Sequence, residues 1–503
     1  MNLATIIGTH PADSAALRFG DEIVTYGQLR ADVGALRGGL TARNLAPGDR
    51  VVLVMTSSRQ FIVSYFAVIG AGAIAVPLNP QSPAAELVRE IAAVRPTMAI
   101  VGPMGSSTLA DAAADPALVG VRVFAPSGSQ YPHADAYEEA ARGTAGPIVE
   151  RTDDDLVVLM FTSGTAGAPK AAMLTHGNLR ANLAQMQSLD EARLQSTDVV
   201  LGIPPLFHIY GLNGALGITM AAGGCLVPVD RFDPTTAVST IAAANVTIVA
   251  GVPPVYAALA SLPPEAASRE QFVSVRRAVS GASKLDLRVG AAFLDRFGVR
   301  VSEGYGLTEA SPVVTAGVDG INGTEPKPGT IGVPLPGVTV RLVDELGHDA
   351  LVGDSGEIWV SGPNVFPGYW EDEVTTSRVL TADGWLRTGD IAVADASGEL
   401  TIVDRVKDLI IVSGFNVFPA EVEEVLAAHP DVAEVAVIGV PHPHTGESVK
   451  AFVVARPGAM VEADALIAFS MRQLARYKCP TSVDVVAQLP KGLQGKVLRR
   501  DLR

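Results

Sequence analysis

Cysteine is scarce in this chain: Cys225 and Cys479 are the only two in 503 residues. They show no metal-ligand spacing and no disulfide framework, which excludes a stapled secreted scaffold and fits a reducing cytosol. Both read as packing residues. Positive charge is also in deficit, with 38 Lys and Arg against 53 Asp and Glu, and the net charge of −15 argues against broad binding to nucleic acid or to a membrane surface. An anionic ligand must therefore meet a local basic patch. The opening Met1-Asn-Leu-Ala-Thr-Ile-Ile7 lacks the basic stretch and long apolar core of a signal peptide, so a cytoplasmic location is expected. Gly211 to Val229 is uncharged for long enough to approach a membrane span, but its glycines and Asn213 favour a buried helix and strand, and no stable membrane insertion is expected. Internal repeats and low-complexity linkers are missing too, so any moving part must turn on a short joint.

What is present is apolar bulk, 48% of the residues, enough for large cores and roughly two to four domains. Tyr26 to Leu45 repeats apolar residues at helical spacing, Val51 to Met55 is a buried-strand run, Phe61 to Gly72 is helical again, and Ala73 to Pro77 is a strand. This alternation predicts an α/β fold with parallel-type sheets covered by helices. From about Val333 the texture changes to short strands separated by Gly and Asp turns, as in Val338–Asp344 and Gly356–Val360, which predicts a small β subdomain over about 333–404. Glu421–Ala428 and Ala463–Leu474 then read as helices, and Val432–Val440 and Val449–Val454 as strands. The expected organisation is an N-terminal domain over 1–404, a hinge at 405–408 within the polar Asp404-Arg-Val-Lys-Asp408, and a small α+β C-terminal lid over 409–503.

The most informative stretch is Phe161-Thr-Ser-Gly-Thr-Ala-Gly-Ala-Pro-Lys170. Hydroxyls, glycine N–H groups and a lysine charge together suit phosphate oxygens. It is not the Walker loop, because Lys170 is followed by Ala171-Ala172 rather than Ser or Thr. Its order resembles the loop of the adenylate-forming superfamily: acyl-CoA synthetases, peptide-synthetase adenylation domains and firefly luciferase. Tyr305-Gly-Leu-Thr-Glu-Ala310, Ser280-Gly-Ala-Ser-Lys284, Arg387-Thr-Gly-Asp390 and the Gly495-Lys496 of the C-terminal segment resemble further motifs of that family in the same order.

The resemblance implies a role for each matching residue. Thr162, Ser163, Gly164, Thr165, Gly167 and Lys170 would surround the ATP phosphates, with Lys170 also catalytic. Gly281 and Ala282 would let the backbone approach the adenine, against which Tyr305 would lie. Thr308 would meet phosphate and Glu309 would carry Mg²⁺, a hard cation that prefers carboxylate and phosphate oxygens. Asp390 and Arg405 would hold the ribose. Lys496 would be the mobile catalytic lysine, countering charge that builds in the transition state. Lys407 matches the hinge, and Ser413 and Gly414 match the loop that lines the thiol tunnel. His208 in Pro205-Leu-Phe-His-Ile-Tyr-Gly-Leu212 matches the gate of the carboxylate pocket, with Tyr210 and Tyr256 on the acyl side. His208 is not read as a general base, because a carboxylate with a pKa of about 4.3 or lower is already ionised.

The sequence departs from the family at Ala166 and Ala171 in the phosphate loop and at Gln494 near the C-terminus. Losing one hydroxyl removes one phosphate hydrogen bond, about 1.5–3 kcal/mol to a charged partner. From Gly202 to Leu262 the only formally cationic side chain is Arg231, so a second carboxylate would lack a partner. The expected activity is an ATP-, Mg²⁺- and CoA-dependent ligase for a largely apolar monocarboxylic acid, a medium- or long-chain fatty acid. Two alternatives stay open: an acyl-AMP ligase loading a carrier protein, and a non-catalytic nucleotide or acyl-CoA sensor. A homodimer also stays open.

Overall fold

Short polar signals set where helices begin. Thr25 caps Tyr26–Thr41, its hydroxyl accepting from Gln28 N at 3.2 Å while Gln28 Oε1 accepts from Thr25 N at 2.9 Å. Ser58 caps Arg59–Gly70, and Thr175 with Asn178 forms a second reciprocal pair at the start of His176–Gln187. The structure is a computed structural model and describes residues 1–162, 169–189, 193–317, 327–405, 408–412, 415–443, 445–492 and 497–502. The chain forms two compact units, Met1–Thr339 with Val360–Leu386, and Val340–Trp359 with Arg387–Arg503.

The first unit carries two sheets. In one, Arg50–Val54 lies parallel between Ile74–Leu78 and Met98–Val101, and Leu156–Thr162 pairs antiparallel with Lys170–Thr175. In the other, Cys225–Pro228, Val199–Gly202, Ile248–Gly251, Arg277–Ser280 and Val301–Gly306 run parallel, followed by antiparallel Val313–Ala316. Strands buried on both faces read as continuous apolar runs, which is why Ile74–Leu78 is buried at every position. Against the second sheet, the rings of Tyr256, Phe272, Phe293 and Phe297 pack with centroids 4.0–5.8 Å apart. Full burial of such a ring contributes about 2–3 kcal/mol.

The uncharged Gly211–Val229 stretch becomes a π-helical turn over Leu212–Gly217, a helix over Ile218–Ala222 and the buried strand Cys225–Pro228. Among the described residues no helix is long and apolar enough to cross a membrane.

In the second unit, the strands Thr339–Val343, Ser355–Ser361, Leu386–Ala394 and Leu400–Arg405 form one sheet in that order. The C-terminal strands Val432–His442 and Gly446–Ala455 pair antiparallel, with Ser482–Val485 added parallel to the latter. Pro419–Ala427 and Ala463–Ser470 are the helices of this region, and Val422, Leu426 and Leu466 are buried in its core.

Candidate active site

In an open α/β sheet, ligands meet the chain where it leaves the carboxyl ends of parallel strands. His208 and Tyr210 follow Val199–Gly202, Tyr256 follows Ile248–Gly251, Gly281 and Ala282 follow Arg277–Ser280, and Thr308 and Glu309 follow Val301–Gly306. One sheet edge therefore gathers expectations drawn from four separate motifs. Gly306 has to be glycine, since a Cβ there would stand 2.1 Å from the Pro312 carbonyl oxygen. Ala282 sits at φ 70°, a left-handed conformation unusual for alanine.

Thr162 and Lys170 are opposite partners in the antiparallel pair, so the two described ends of the phosphate loop come together. Ser163, Gly164, Thr165, Ala166 and Gly167 lie outside the described residues. Lys170 Nζ stands 5.8 Å from the centre of the Tyr369 ring, and Tyr369 Oη donates to Glu309 Oε1 at 2.6 Å. Phe366 N donates to the Glu309 carbonyl at 2.9 Å. Burial and then the neighbouring Glu309 carboxylate push the Tyr369 phenol well above its ordinary pKa, so it stays a donor.

Tyr369 was not among the expected residues. Its signal is Pro367-Gly-Tyr-Trp370, whose short Gly368–Tyr369 strand pairs with Met173 and Ala172 beside Lys170. The arrangement joins a lysine, a phenol and a carboxylate next to Thr308. Among the described residues no group of three or more His, Cys, Asp or Glu could cage a metal. A single carboxylate still fits Mg²⁺, which takes its other ligands from substrate phosphates and water.

Of the residues expected on the acyl side, Tyr210 Oη donates to the carbonyls of Gly251 and Val279 at 3.3 Å each, and Tyr256 Oη to those of Val249 at 3.1 Å and Val279 at 2.7 Å. Both phenols are thus engaged by backbone; Tyr256 is fully buried in the aromatic core, while Tyr210 is only partly buried. A Cβ on Gly281 would lie 3.1 Å from the Tyr210 ring and one on Gly214 2.9 Å from it, so glycine lets that ring in from both sides. Burial pulls the His208 imidazole down to a pKa of about 4, leaving it neutral near pH 7. Its Nε2 is buried with no hydrogen-bond partner among the described residues, as are Ser280 Oγ and Ser311 Oγ. Arg231 is exposed, which leaves the buried part of Gly202–Leu262 without a cation.

In the second unit, Asp390 is buried and stands opposite Arg405 across the antiparallel strands. Its N–H donates to Thr388 Oγ1 at 3.1 Å, and Gly389 N donates to Glu357 Oε1 at 3.0 Å. Lys407, Ser413, Gly414, Gln494 and Lys496 lie outside the described residues. The ends of the Lys496 segment are described: Lys491 and Val497 form a β-bridge, and Leu498 N donates to Pro490 O at 2.8 Å.

Arg499, three residues beyond Lys496, is held by three carboxylates. It pairs with Glu423 at 2.8 Å, Asp408 at 3.2 Å and Asp404 at 3.5 Å, and those carboxylates raise its pKa further against the opposing effect of burial. Sequence reading could not find this hub, because its members are distant along the chain.

Comparison with known proteins gives a consistent result. Residues 4–370 match the model of the AMP-binding enzyme family, and residues 421–496 match that of the AMP-binding enzyme C-terminal domain. A feruloyl-CoA synthase from Amycolatopsis sp is 37% identical over 490 residues, covering 97% of this chain and 95% of that protein. A long-chain-fatty-acid–CoA ligase from Bacillus subtilis (strain 168) is 34% identical over 518 residues, covering 97% and 91%. The crystal structure of ATP-bound MatB from Rhodopseudomonas palustris superposes with a TM-score of 0.91 at 33% identity, covering 100% of this chain and 98% of that one. The chain therefore belongs to the AMP-binding enzyme family, the adenylate-forming superfamily whose motifs its phosphate loop and Tyr305–Ala310 turn resemble.

Proposed function

We propose that the protein is an AMP-forming acid–CoA ligase acting in two steps at one site. A carboxylate oxygen attacks the α-phosphorus of ATP, the bond to pyrophosphate breaks, and an acyl-adenylate remains. The thiol of CoA then attacks the acyl carbon, AMP leaves with the bonding pair, and the thiol proton passes to solvent. The observation that carries this reading is the Lys170–Tyr369–Glu309 chain beside Thr308 at the carboxyl ends of parallel strands.

Lys170 supplies positive charge to phosphate oxygens, Thr308 a hydroxyl, and Tyr369 orients the Glu309 carboxylate. When bound, Mg²⁺ would offset phosphate charge, with Glu309 as its protein ligand. Neutral His208 has one ring N–H to offer the incoming carboxylate. Thr162, Ser163, Gly164, Thr165, Gly167, Gly281, Ala282, Tyr305, Asp390 and Arg405 are proposed to hold the nucleotide. Lys496 would counter charge in the first step, a turn about Lys407 would follow, and Ser413 and Gly414 would line the path of the thiol.

The proposed acid is monocarboxylic and largely apolar. The engaged phenol of Tyr210 and the exposed position of Arg231 support that class. Within it, a medium- or long-chain fatty acid is the finer reading and an aryl acid its rival, since relatives named for both match across the chain. CoA is preferred over a carrier protein as acceptor, because Gly356 to Gly389 runs without the inserted segment characteristic of carrier-loading relatives.

The test is incubation with ATP, Mg²⁺ and acids from acetate through long-chain fatty and aryl acids, with and without CoA, followed by mass spectrometry. Acyl-CoA from one class identifies the substrate. Acyl-adenylate that never reaches CoA supports the carrier protein, and ATP binding without pyrophosphate release supports a sensor.

A further inference from the structure

Helices usually pack through an apolar stripe, but one face of His176–Gln187 carries carboxamides instead. Asn178, Asn182 and Gln185 recur at helical spacing, and Asn182 and Gln185 are buried. Asn178 Nδ2 donates to the carbonyls of Pro363 at 2.9 Å and Val365 at 2.8 Å. Asn182 grips both backbone groups of one residue, with Nδ2 donating to Val313 O at 2.8 Å and Oδ1 accepting from Val313 N at 3.1 Å. Gln185 Nε2 donates to Asn364 Oδ1 at 3.2 Å, and Asn364 Nδ2 donates to Ala310 O at 2.8 Å.

A further carboxamide comes from another element. Asn213, on the π-helical turn that follows Tyr210, donates to Ser311 O at 2.8 Å. Gly217 makes room for it, since a Cβ there would stand 2.5 Å from Asn213 Oδ1. The carbonyls of Ala310, Ser311 and Val313, just past Thr308 and Glu309, are thus each held by a different buried side chain.

Burying carboxamides is costly unless every donor and acceptor is matched, so an apolar face would have packed at lower cost. What the amides add is register: a hydrogen bond fixes one atom against one atom, where methyl groups slide. They also bring no net charge, so the geometry of the turn does not change with their protonation.

We propose that Asn182, Asn213 and Asn364, with Gln185 behind Asn364, are positioning residues that fix the Thr308–Ala310 turn so that Glu309 and Thr308 meet metal and phosphate together. This rests on the reading of Glu309 as the metal carboxylate. The test uses the full-length variants Asn213→Leu, Asn364→Leu and Gln185→Met, which keep approximate size and remove the amide. Mn²⁺ binding is read by electron paramagnetic resonance with a non-hydrolysable ATP analogue, alongside KM for ATP, KM for the acid and the thermal midpoint.

The expected result is Mn²⁺ affinity weakened about three- to tenfold per hydrogen bond lost, with KM for the acid unchanged in Asn364→Leu and Gln185→Met. A lowered midpoint with unchanged Mn²⁺ affinity would overturn the proposal, leaving the amides a packing role only. Glu309→Gln separates the two layers. If it leaves Mn²⁺ binding intact, the metal reading itself fails; if it weakens binding while the folded amide variants do not, the positioning role alone fails. Should Asn213→Leu not fold, Gln185→Met carries the test, because it removes an amide that touches the turn only through others, donating to Asn364 Oδ1 and accepting from Asn182 Nδ2 at 3.1 Å.

Discussion

The turn that carries Glu309 and the segment that carries Lys496 are anchored by opposite means. In the first unit, neutral carboxamides and one phenol hold the turn. In the second, a single guanidinium, Arg499, collects Glu423, Asp408 and Asp404 just beyond the lysine. A neutral frame keeps its geometry without adding charge where phosphates must bind. A charged hub concentrates the hold on one side chain and ties three carboxylates, one of them buried, to it. The first design spreads risk over many weak bonds, and the second makes one residue decisive.

The sharpest way to break that comparison is Arg499→Met. Removing the cation takes the ion-pair partner from buried Asp404 and half-buried Glu423, which costs about 3–5 kcal/mol. Chemical denaturation followed on the second unit should show it, and a loss below about 1 kcal/mol would mean the hub organises nothing.

Acid should instead find the first unit. His176 and His208 are both pulled by burial to about 4, and His176 is used neutral, its Nδ1 accepting from Leu3 N at 2.9 Å. A base whose folded pKa is lowered confers stability above its unfolded pKa of about 6.5, and that stability is lost as pH falls toward 4. Each such histidine contributes about 1.4 kcal/mol per pH unit across that window. Melting of His176→Gln between pH 6.5 and 4 should therefore show a flatter acid limb than the parent, and an identical limb would refute the assignment.

Tyr369→Phe removes one hydrogen bond to a carboxylate, about 1.5–3 kcal/mol, so pyrophosphate release should slow about 10- to 100-fold with folding intact. An unchanged rate would remove Tyr369 from the site. The smallest effect belongs to Lys491→Ala. Its pair with Glu434 is exposed, with side chains 40% and 41% accessible, and should matter by no more than about 1 kcal/mol. A larger loss would show that the Lys491–Glu434 pair, and not Arg499 alone, holds this part of the chain.

These contrasts explain what the sequence reveals and what it hides. The strands Val51–Met55 and Ala73–Pro77 were legible because a strand buried on both faces must be apolar throughout, and they appear as Arg50–Val54 and Ile74–Leu78. Candidate site residues can be named from sequence where a motif is contiguous, as in Tyr305–Ala310. Tyr369 was not, because a lone aromatic beside Gly368 reads as packing until pairing with Ala172 brings it to Lys170. The amides of His176–Gln187 were hidden for a similar reason: polar residues at helical spacing suggest a wet face, and only the tertiary fold supplies the carbonyls they meet. Arg499 stands beside Arg500 in sequence, and only the fold brings it carboxylates from as far back as Asp404.

The most direct test of the central claim is ATP–pyrophosphate exchange in the absence of CoA, run with a panel of apolar monocarboxylic acids in the parent protein and in Glu309→Gln. Exchange that requires the acid, and that falls sharply in Glu309→Gln, is the predicted result. ATP binding without exchange for any acid would contradict it, and would make this an adenylate-forming fold that holds nucleotide without performing the chemistry.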